Sequence, residues 1–193
     1  MSDSYHHGNL KQALIDAGVK IINESGESGL SLRKAAALCN VSHAAPYAHF
    51  KDKEELIEEI KKNVTGQFME ELQNAVREAS DAESALISMG RRYVLFFLHN
   101  PDYFKFLFGS QNIVAHFRTD KEYEEDYPPF KLLKEIYINF LREKNIKKKK
   151  NEQELDLLKL WSSAHGLAAI ACMSKVKLSC DWKKAIEGDI LLK

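Results

Sequence analysis

Residues 31–53 bring together side chains that could bind a polyanion. Basic side chains outnumber acidic ones by three in this window, whereas the whole chain of 193 residues has 28 of each and no net charge. Hydroxyl and imidazole donors accompany them, and two alanines lie between. The candidate contact residues are Ser31, Arg33, Ser42, His43, Ala44, Ala45, Tyr47, His49 and Lys53. Such donors bind phosphate oxygens, short side chains read base edges, and alanine methyls contact thymine methyls. The window therefore predicts a local nucleic-acid interface in a chain without an overall basic field.

A second group of residues has the types needed for nucleophilic catalysis, namely Ser162, Ser163 and His165. Residues so close together on a helix point in different directions, and no G-x-S-x-G turn surrounds them. His6 and His7 are adjacent and lack the i, i+4 spacing of a helical metal pair. The sequence therefore predicts no catalytic residue, no metal site and no cofactor.

The cysteines and the apolar runs indicate the cellular compartment in which we expect the protein. Cys39, Cys172 and Cys180 form neither a C-x-x-C pair nor a Cys/His cluster with zinc spacing. They are too few and too scattered for a disulfide scaffold, so we expect reduced thiols in a cytoplasmic protein. The N-terminal residues lack the apolar core of a signal peptide, and no apolar run approaches the roughly 18 residues that a membrane span needs. We therefore expect no membrane partner.

Helices must position all of these residues, because apolar side chains recur with the helical period and strand-like alternation does not persist. The pattern predicts helices over about residues 7–25 and 32–38, with Ser31 as the N-cap of the second. Asn40 suits a left-handed turn, and Ser42 is predicted to cap a third helix of about two turns. Two short helices joined by a tight turn, with another helix before them, constitute a helix-turn-helix.

The remainder of the chain is also predicted to be helical. Asp52 and Glu55 have the spacing of a capping box for a long helix that ends near residue 79. Later helices are predicted to begin near Asp81, Pro101, Pro129, Asn151 (in a capping box with Glu154) and Ser179. The expected fold is all-α, with a three-helix DNA-binding unit over residues 1–55 and a larger helical bundle over residues 56–193.

The stretches SLRKAA, VS, YAHF and KDKEEL stand at fixed spacing within residues 5–56. This order resembles the N-terminal domain of the TetR family of transcriptional regulators, which binds operator DNA as a dimer. The resemblance implies that Tyr47 and Lys53 contact phosphates, that residues 42–45 face the major groove and that His49 reaches the backbone. Phe50 is expected in the core, and Asn40 replaces the usual glycine of the turn.

The C-terminal part is rich in aromatic residues, since 13 of the 17 Phe and Tyr residues lie between Tyr93 and Phe140. Such a region can line an apolar pocket, and the alternative is that the rings simply fill the core. The family resemblance implies that this part binds an effector and forms the dimer. The pocket candidates are Tyr93, Phe96, Phe97, Phe104, Tyr137, Trp161 and His165.

Residues 161–169, WSSAHGLAA, are similar to the W-x-x-x-H-G signature of a C-terminal domain found in a subset of the TetR family. Trp161 and His165 are four residues apart and share a helix face. His165 could bind a ligand, sense pH, or be a structural histidine with one partner. The resemblance also implies that the last two helices form the dimer interface. The interface candidates are Trp161, Ala164, Ala168, Ala169, Trp182 and Ile186.

The expected function is that of a sequence-specific transcriptional regulator, a homodimeric repressor of a double-stranded DNA operator. A small apolar effector, whose identity the sequence does not give, is expected to respace the two DNA-binding units and weaken operator binding. The long helix that begins near Asp52 joins both parts and would carry this coupling. The alternative is a helical protein-interaction module that binds neither DNA nor a small molecule.

Overall fold

The computed structural model describes residues 10–109 and 113–188, and every regular element within them is helical. The predicted all-α fold class is therefore confirmed. The helices are α1 (Leu10–Gly29), α2 (Leu32–Leu38), α3 (Lys53–Arg77), α4 (Ala82–His99), α5 (Pro101–Gly109), α6 (Pro128–Glu143), α7 (Lys150–Ala171) and α8 (Trp182–Glu187). None of these described helices is both long and apolar enough to cross a membrane. His6 and His7 lie outside the described residues.

Helix α1 lies close against α3, and a glycine makes this approach possible. A Cβ atom added at Gly18 would lie 2.5 Å from Cδ1 of Ile60. Leu14 and Ile15 are buried in the same core as Ile60. The regular part of α1 ends at Gly26, whose φ of 71° is a conformation that glycine adopts readily. The helix thus becomes irregular where the sequence predicted its end.

Helix α2 begins as the sequence predicted. The Ser31 Oγ accepts a hydrogen bond from the backbone N–H of Lys34 at 3.2 Å, which satisfies one free donor of the first turn. Asn40, just after the helix, has the predicted left-handed conformation, with φ of 54°. These two residues fix where the chain enters and leaves α2.

The third helix of the helix-turn-helix is shorter than predicted. The structure has one 3₁₀ turn, Ala45–Ala48, and Ala44 rather than Ser42 precedes it. The prediction of a two-turn helix capped by Ser42 is therefore wrong. Pro46 has no N–H to donate, and its carbonyl oxygen accepts from the N–H groups of both His49 and Phe50, which closes the turn after four residues.

Helix α3 belongs to both parts of the chain. The Asp52 carboxylate accepts a hydrogen bond from the Glu55 N–H at 2.9 Å, so the predicted helix start is confirmed. The N-terminal turns bury Ile60 against α1, and the later turns bury Phe68 among the rings of α4. The division of the chain after residue 55 stays a prediction, and that residue lies in the first turn of α3.

Helix α4 is the centre of the C-terminal bundle, since it contacts α3, α5, α6, α7 and α8. The helix begins near Asp81 as predicted, and the Asp81 carboxylate caps it by accepting from the Ser84 N–H at 2.7 Å. The bundle therefore surrounds one helix, and a residue of α4 can touch any of its neighbours.

Two helices in the C-terminal part begin close to their predicted positions but have other capping residues. Helix α7 begins after Lys149, whose N–H donates to the Glu152 carboxylate at 2.7 Å, so Asn151 lies inside the helix rather than at its cap. Helix α8 begins after Asp181, which accepts from two backbone N–H groups, and not at Ser179. In both cases an acidic side chain near the helix start accepts a hydrogen bond from a backbone N–H group.

Candidate nucleic-acid interface and ligand cavity

The predicted DNA-contacting residues lie between the N-cap of α2 and the first residue of α3, on the helices, on the 3₁₀ turn and in the loops that flank this turn. The exposed members of the set are Arg33, Ser42, His43, Ala44 and Tyr47. Ser31, Ala45, His49 and Lys53 are partly buried. The Ser31 oxygen caps α2, which leaves its O–H free to donate. The structure thus places the set at the surface of one compact segment, and the DNA contacts themselves stay predictions.

Two buried residues hold this surface in place. Pro46 is buried, and Phe50 is only 1% exposed, which confirms its predicted core position. Tyr47 lies between them in the chain and is 57% exposed. Because its neighbours point inward, the Tyr47 ring is presented to solvent with its hydroxyl available to a phosphate.

A cavity of about 360 Å³ lies between α4, α6 and α7. This volume falls in the range of sites for small organic molecules. The walls are mostly apolar and include Leu86, Met89, Phe130, Leu133 and Leu160. Lys159 and Ser163, which are exposed, also line the cavity and mark its mouth.

Two of the predicted pocket residues lie at this cavity, and their role in ligand binding stays a prediction. Tyr93 and Trp161 line the cavity. Phe96 and Phe97 do not, because they pack around Phe68, with ring centroids 5.0 Å and 4.6 Å away. These two rings fill the core between α3 and α4, and their assignment to the pocket is wrong.

Three further pocket candidates lie elsewhere. Phe104 packs on Phe97 and His165, with centroids 5.3 Å and 5.1 Å away, and does not reach the cavity. Tyr137 donates a hydrogen bond to Asp156 at 2.7 Å in a separate cluster between α6 and α7. His165 lines a neighbouring open groove, together with Trp161.

Two tyrosines, Tyr93 and Tyr127, line the cavity. The Tyr93 hydroxyl lies 2.9 Å from Nδ1 of His165, so this pair is satisfied. The Tyr127 hydroxyl is buried and has no hydrogen-bond partner among the described residues. Burial raises the pKa of Tyr93, and the nearby Tyr127 raises it further, while the Trp161 indole acts in the opposite direction. Burial disfavours the charged form of His165 and so lowers its pKa, which keeps this imidazole neutral at physiological pH.

Sequence reasoning missed the part of the chain that closes the cavity at the start of α6. Tyr127 directly precedes α6, Pro129 and Phe130 lie in its first turn, and their signal in the sequence was the run DYPPF. A proline pair marks a chain reversal and a helix start, but nothing in the local pattern shows what packs against it.

Asp126 fixes this segment. Its carboxylate is buried and accepts hydrogen bonds from the backbone N–H of His116 at 2.7 Å, and it contacts the imidazole at 2.8 Å. Lys134 of α6 donates to the second carboxylate oxygen. Burial alone would raise the pKa of Asp126, but the hydrogen bonds from Lys134 and His116 outweigh it and hold the pKa below its ordinary value. The ionised carboxylate therefore clamps the segment to α6.

Helix α7 has an outward apolar face. Leu155, Leu158 and Ile170 of α7 are 53%, 48% and 44% exposed, and Met173, just after the end of α7, is 52% exposed. Their positions repeat at helical spacing, and a Cβ added at Gly166 between them would meet no atom within 4 Å.

The interface prediction needs correction at several positions. Ala164, Ala168 and Ile186 are buried in the core of their own chain, so their side chains do not face a partner. Trp161 and Trp182 pack partly against the same core. Ala169 is the one candidate of the six that is partly exposed without being packed in that core. Ala164 and Ala168 lie in the core where α7 packs on α4, and the dimer interface itself stays a prediction.

Residues 14–60 match the family described as bacterial regulatory proteins, tetR family. This part of the chain is therefore similar to the N-terminal part of that family. A curated relative, the fatty acid metabolism regulator protein of Bacillus subtilis (strain 168), is 32% identical over 73 residues. The matched stretch spans 38% of this chain and 38% of that protein. The W-x-x-x-H-G stretch lies outside the matched family region, and its assignment to a TetR subset stays a prediction.

Solved structures extend the likeness to almost the whole chain. A protein of unknown function from Rhodococcus sp. RHA1 has a TM-score of 0.69 at 23% identity and covers 97% of this chain and 94% of its own. The fatty acid degradation regulator FadR from Bacillus halodurans has a TM-score of 0.67 at 17% identity, covering 92% and 94%. AibR, solved with isovaleryl coenzyme A and operator DNA, has a TM-score of 0.67 at 15% identity, covering 93% and 95%. These three structures therefore share the all-helical fold of this chain.

Proposed function

We propose that this protein is a homodimeric transcriptional repressor that a small amphipathic molecule releases from its operator. The observation that carries the proposal is the combination, in one packed chain, of an exposed helix-turn-helix and a largely apolar cavity. The first is locally basic in a neutral protein, which suits it to DNA. The second has the size and lining of a small-molecule site.

The effector class that we propose is a compound with an acyl chain. Apolar walls stabilise a hydrocarbon chain by removing it from water. The relatives point the same way, since two are named as regulators of fatty acid metabolism or degradation and one was solved with isovaleryl coenzyme A.

Helix α5 supports a route from the cavity to the DNA-binding unit. On one side, Phe108 packs against Tyr127 and His165, with ring centroids 6.4 Å and 4.6 Å away. On the other side, the Tyr103 hydroxyl donates to Asp16 of α1 at 3.2 Å. A ligand that displaces the rings around the cavity would move α5 and tilt α1, which respaces the two units of a dimer.

The outward face of α7 supports the dimer. A helix that is apolar on both its inner and its outer side is typical of one packed between two layers. A second copy of α7 would cover Leu155, Leu158, Ile170 and Met173. Contact with a second copy around a two-fold axis is the commonest arrangement for soluble homo-oligomers.

Fluorescence anisotropy tests the proposal. The full chain is titrated into labelled DNA from upstream of its own gene, at two salt concentrations and with random DNA as competitor. Binding that survives the competitor, with a footprint of two-fold symmetry, supports the repressor. Release of that DNA by decanoyl coenzyme A, with coenzyme A alone as the control, supports the acyl effector.

The competing hypothesis is an interaction module that has no DNA function. It predicts no binding to any DNA even at low salt, where phosphate contacts are strongest. The exposed donors around Tyr47 favour the repressor over this alternative, because a protein-interaction module has no need of a phosphate-binding surface.

A further inference from the structure

Trp161 borders two separate spaces in the C-terminal bundle. One is the cavity of about 360 Å³ between α4, α6 and α7. The other is the neighbouring open groove of about 490 Å³, whose walls include Phe108, Phe117 and Leu158. Among the described residues that line these two spaces, Trp161 is the one that they share. A side chain in this position can form the wall between them.

The rings packed around Trp161 show that its indole reaches both sides. On the cavity side, the ring centroid of Phe130 is 5.0 Å from that of Trp161. On the groove side, the centroids of Phe117 and His165 are 5.8 Å and 6.3 Å away. Of the two spaces, Phe130 lines the cavity alone, whereas Phe117 and His165 line the groove alone. The indole therefore stands between the cavity and the groove.

A hydrogen bond also holds the indole in this position. Its N–H donates to the Tyr93 hydroxyl, which pairs in addition with Nδ1 of His165 at 2.9 Å. Tyr93 is buried on α4, so the wall joins α7 to the central helix of the bundle. Because three neighbouring rings and a hydrogen bond fix the Trp161 side chain, it cannot turn aside without losing these contacts.

The size of the cavity limits the length of chain that it can enclose. A water molecule occupies about 30 Å³ in the liquid, so a volume of about 360 Å³ holds about twelve non-hydrogen atoms. A decanoyl group fits within this limit, and a hexadecanoyl group exceeds it. The additional carbons of the longer chain would need the groove, and the indole closes the way to it.

The groove suits a hydrocarbon chain wherever the wall is absent. Its lining is apolar or aromatic except at Ser162 and His165, and both of these have hydrogen-bond partners within the chain. Each methylene that such walls remove from water improves binding by about fourfold. A chain that passed from the cavity into the groove would therefore gain affinity from every carbon that the groove covers.

We propose that Trp161 sets the upper limit of acyl-chain length for the effector, because its indole closes the cavity toward the groove. This proposal rests on the proposed function in one respect, that the cavity is the site of an effector with an acyl chain. Trp161 is then a specificity-determining residue. Replacement of the indole by a smaller side chain joins the two spaces and admits longer chains, rather than weakening the binding of all chains alike.

Three coenzyme A thioesters, with hexanoyl, decanoyl and hexadecanoyl chains, test whether the indole limits chain length. Each is titrated into the full chain without DNA by isothermal titration calorimetry, with the hexadecanoyl compound kept below the concentration at which it forms micelles. Coenzyme A alone is the control for the polar part of the probes. Ligand-induced thermal stabilisation is the second readout.

Two variants remove the wall to different extents. Trp161→Ala deletes the indole, and Trp161→Leu keeps an apolar side chain with a high helix propensity, so it carries the test if the alanine variant does not fold. The matched control is Trp182→Ala on α8, since this tryptophan is also partly buried and lines neither space. A melting curve of each variant without ligand shows whether it is folded.

We expect the wild type and Trp182→Ala to bind decanoyl coenzyme A at least about tenfold more tightly than the hexanoyl compound and to gain nothing further from the hexadecanoyl chain. In the Trp161 variants, affinity should rise at least about tenfold again from decanoyl to hexadecanoyl. A wild type that gains as much as the variants would overturn the inference and leave the effector site standing, and so would folded variants that bind the decanoyl compound but gain nothing. If decanoyl coenzyme A does not bind the wild type, the cavity is not the site of an acyl effector, and the inference fails with it.

Discussion

The Tyr93 hydroxyl and Nδ1 of His165 lie 2.9 Å apart and join α4 to α7 beside the cavity. The imidazole is enclosed by the rings of Phe104, Phe108 and Trp161, with centroids 5.1 Å, 4.6 Å and 6.3 Å away. Helices α4 and α7 therefore meet through a polar bond inside an aromatic cluster. Protonation of His165 would bring a charge into this cluster.

We predict that His165 makes the protein less stable in mild acid. Its pKa is lowered in the folded state by burial, so below the ordinary histidine value of about 6.5 the unfolded chain binds the proton more readily. Stability is thus full above that pH and falls as the pH drops, by no more than about 1.4 kcal/mol per pH unit. Chemical denaturation between pH 7.5 and 5.5 checks this, with His165→Gln expected to show a flatter profile. An unchanged profile in the variant would contradict the prediction.

Asp126→Asn is expected to destabilise the protein by about 3 kcal/mol, because Lys134 keeps its charge in a nearly buried position without its partner. The pKa of Asp126 is held below its ordinary value, so its contribution is present above the unfolded carboxyl pKa of about 3.9 and is lost as the pH falls. Urea denaturation at neutral pH measures the effect. Asp120→Asn is the control, since this residue pairs with Arg118 and Lys150 at the surface and should change little. Equal effects of the two variants would show that the buried clamp has no special role.

Substitutions at the helix-turn-helix should separate two kinds of phosphate contact. Tyr47→Ala is expected to weaken binding to operator and random DNA alike and to leave the salt dependence almost unchanged, because tyrosine is uncharged. Lys53→Ala should reduce the slope of log K against log salt by about one. Anisotropy titrations over a range of salt concentrations measure both, with Lys177→Ala on the exposed segment before α8 as the control. If neither variant changes DNA affinity, residues 31–53 do not dock as proposed.

Ile170→Glu is expected to convert the protein to a monomer. The side chain is 44% exposed on α7, so the substitution leaves the chain's own core intact but places a charge in the proposed interface. Size-exclusion chromatography with light scattering gives the mass. Ile146→Glu, at a position that is 39% exposed outside α7, should leave the mass unchanged. A dimeric Ile170→Glu protein would place the interface elsewhere.

Helix caps and turns were predicted correctly from the sequence where the local backbone conformation favours one type of residue. Ser31 and Asp52 were predicted as caps and Asp81 as a residue near a helix start, and each accepts a backbone hydrogen bond at a helix start. Asn40 was predicted in a left-handed turn for the same reason. Such features depend on neighbours within four residues, so the sequence contains all the information that they need.

The site was harder to predict, because periodicity shows which side chains point inward but not what they meet. Phe97 and Tyr93 are one turn apart on α4, yet only Tyr93 reaches the cavity. Asp126 and Tyr127 lie in a segment without helical period, and the partners of Asp126 are on residues eight and ten positions away. Those contacts follow from the path of the chain in three dimensions, which no local pattern encodes.

Helix α3 has a consequence for how the protein melts. Leu14 of α1 and Phe97 of α4 belong to one continuous core, and α3 lies against both helices. Neither end can come apart without exposing apolar surface that the other end covers, so heating should give a single sharp transition in helical content. A ligand that binds in the cavity and stabilises the folded chain would then raise the melting temperature of the DNA-binding helices as well, although it contacts none of them.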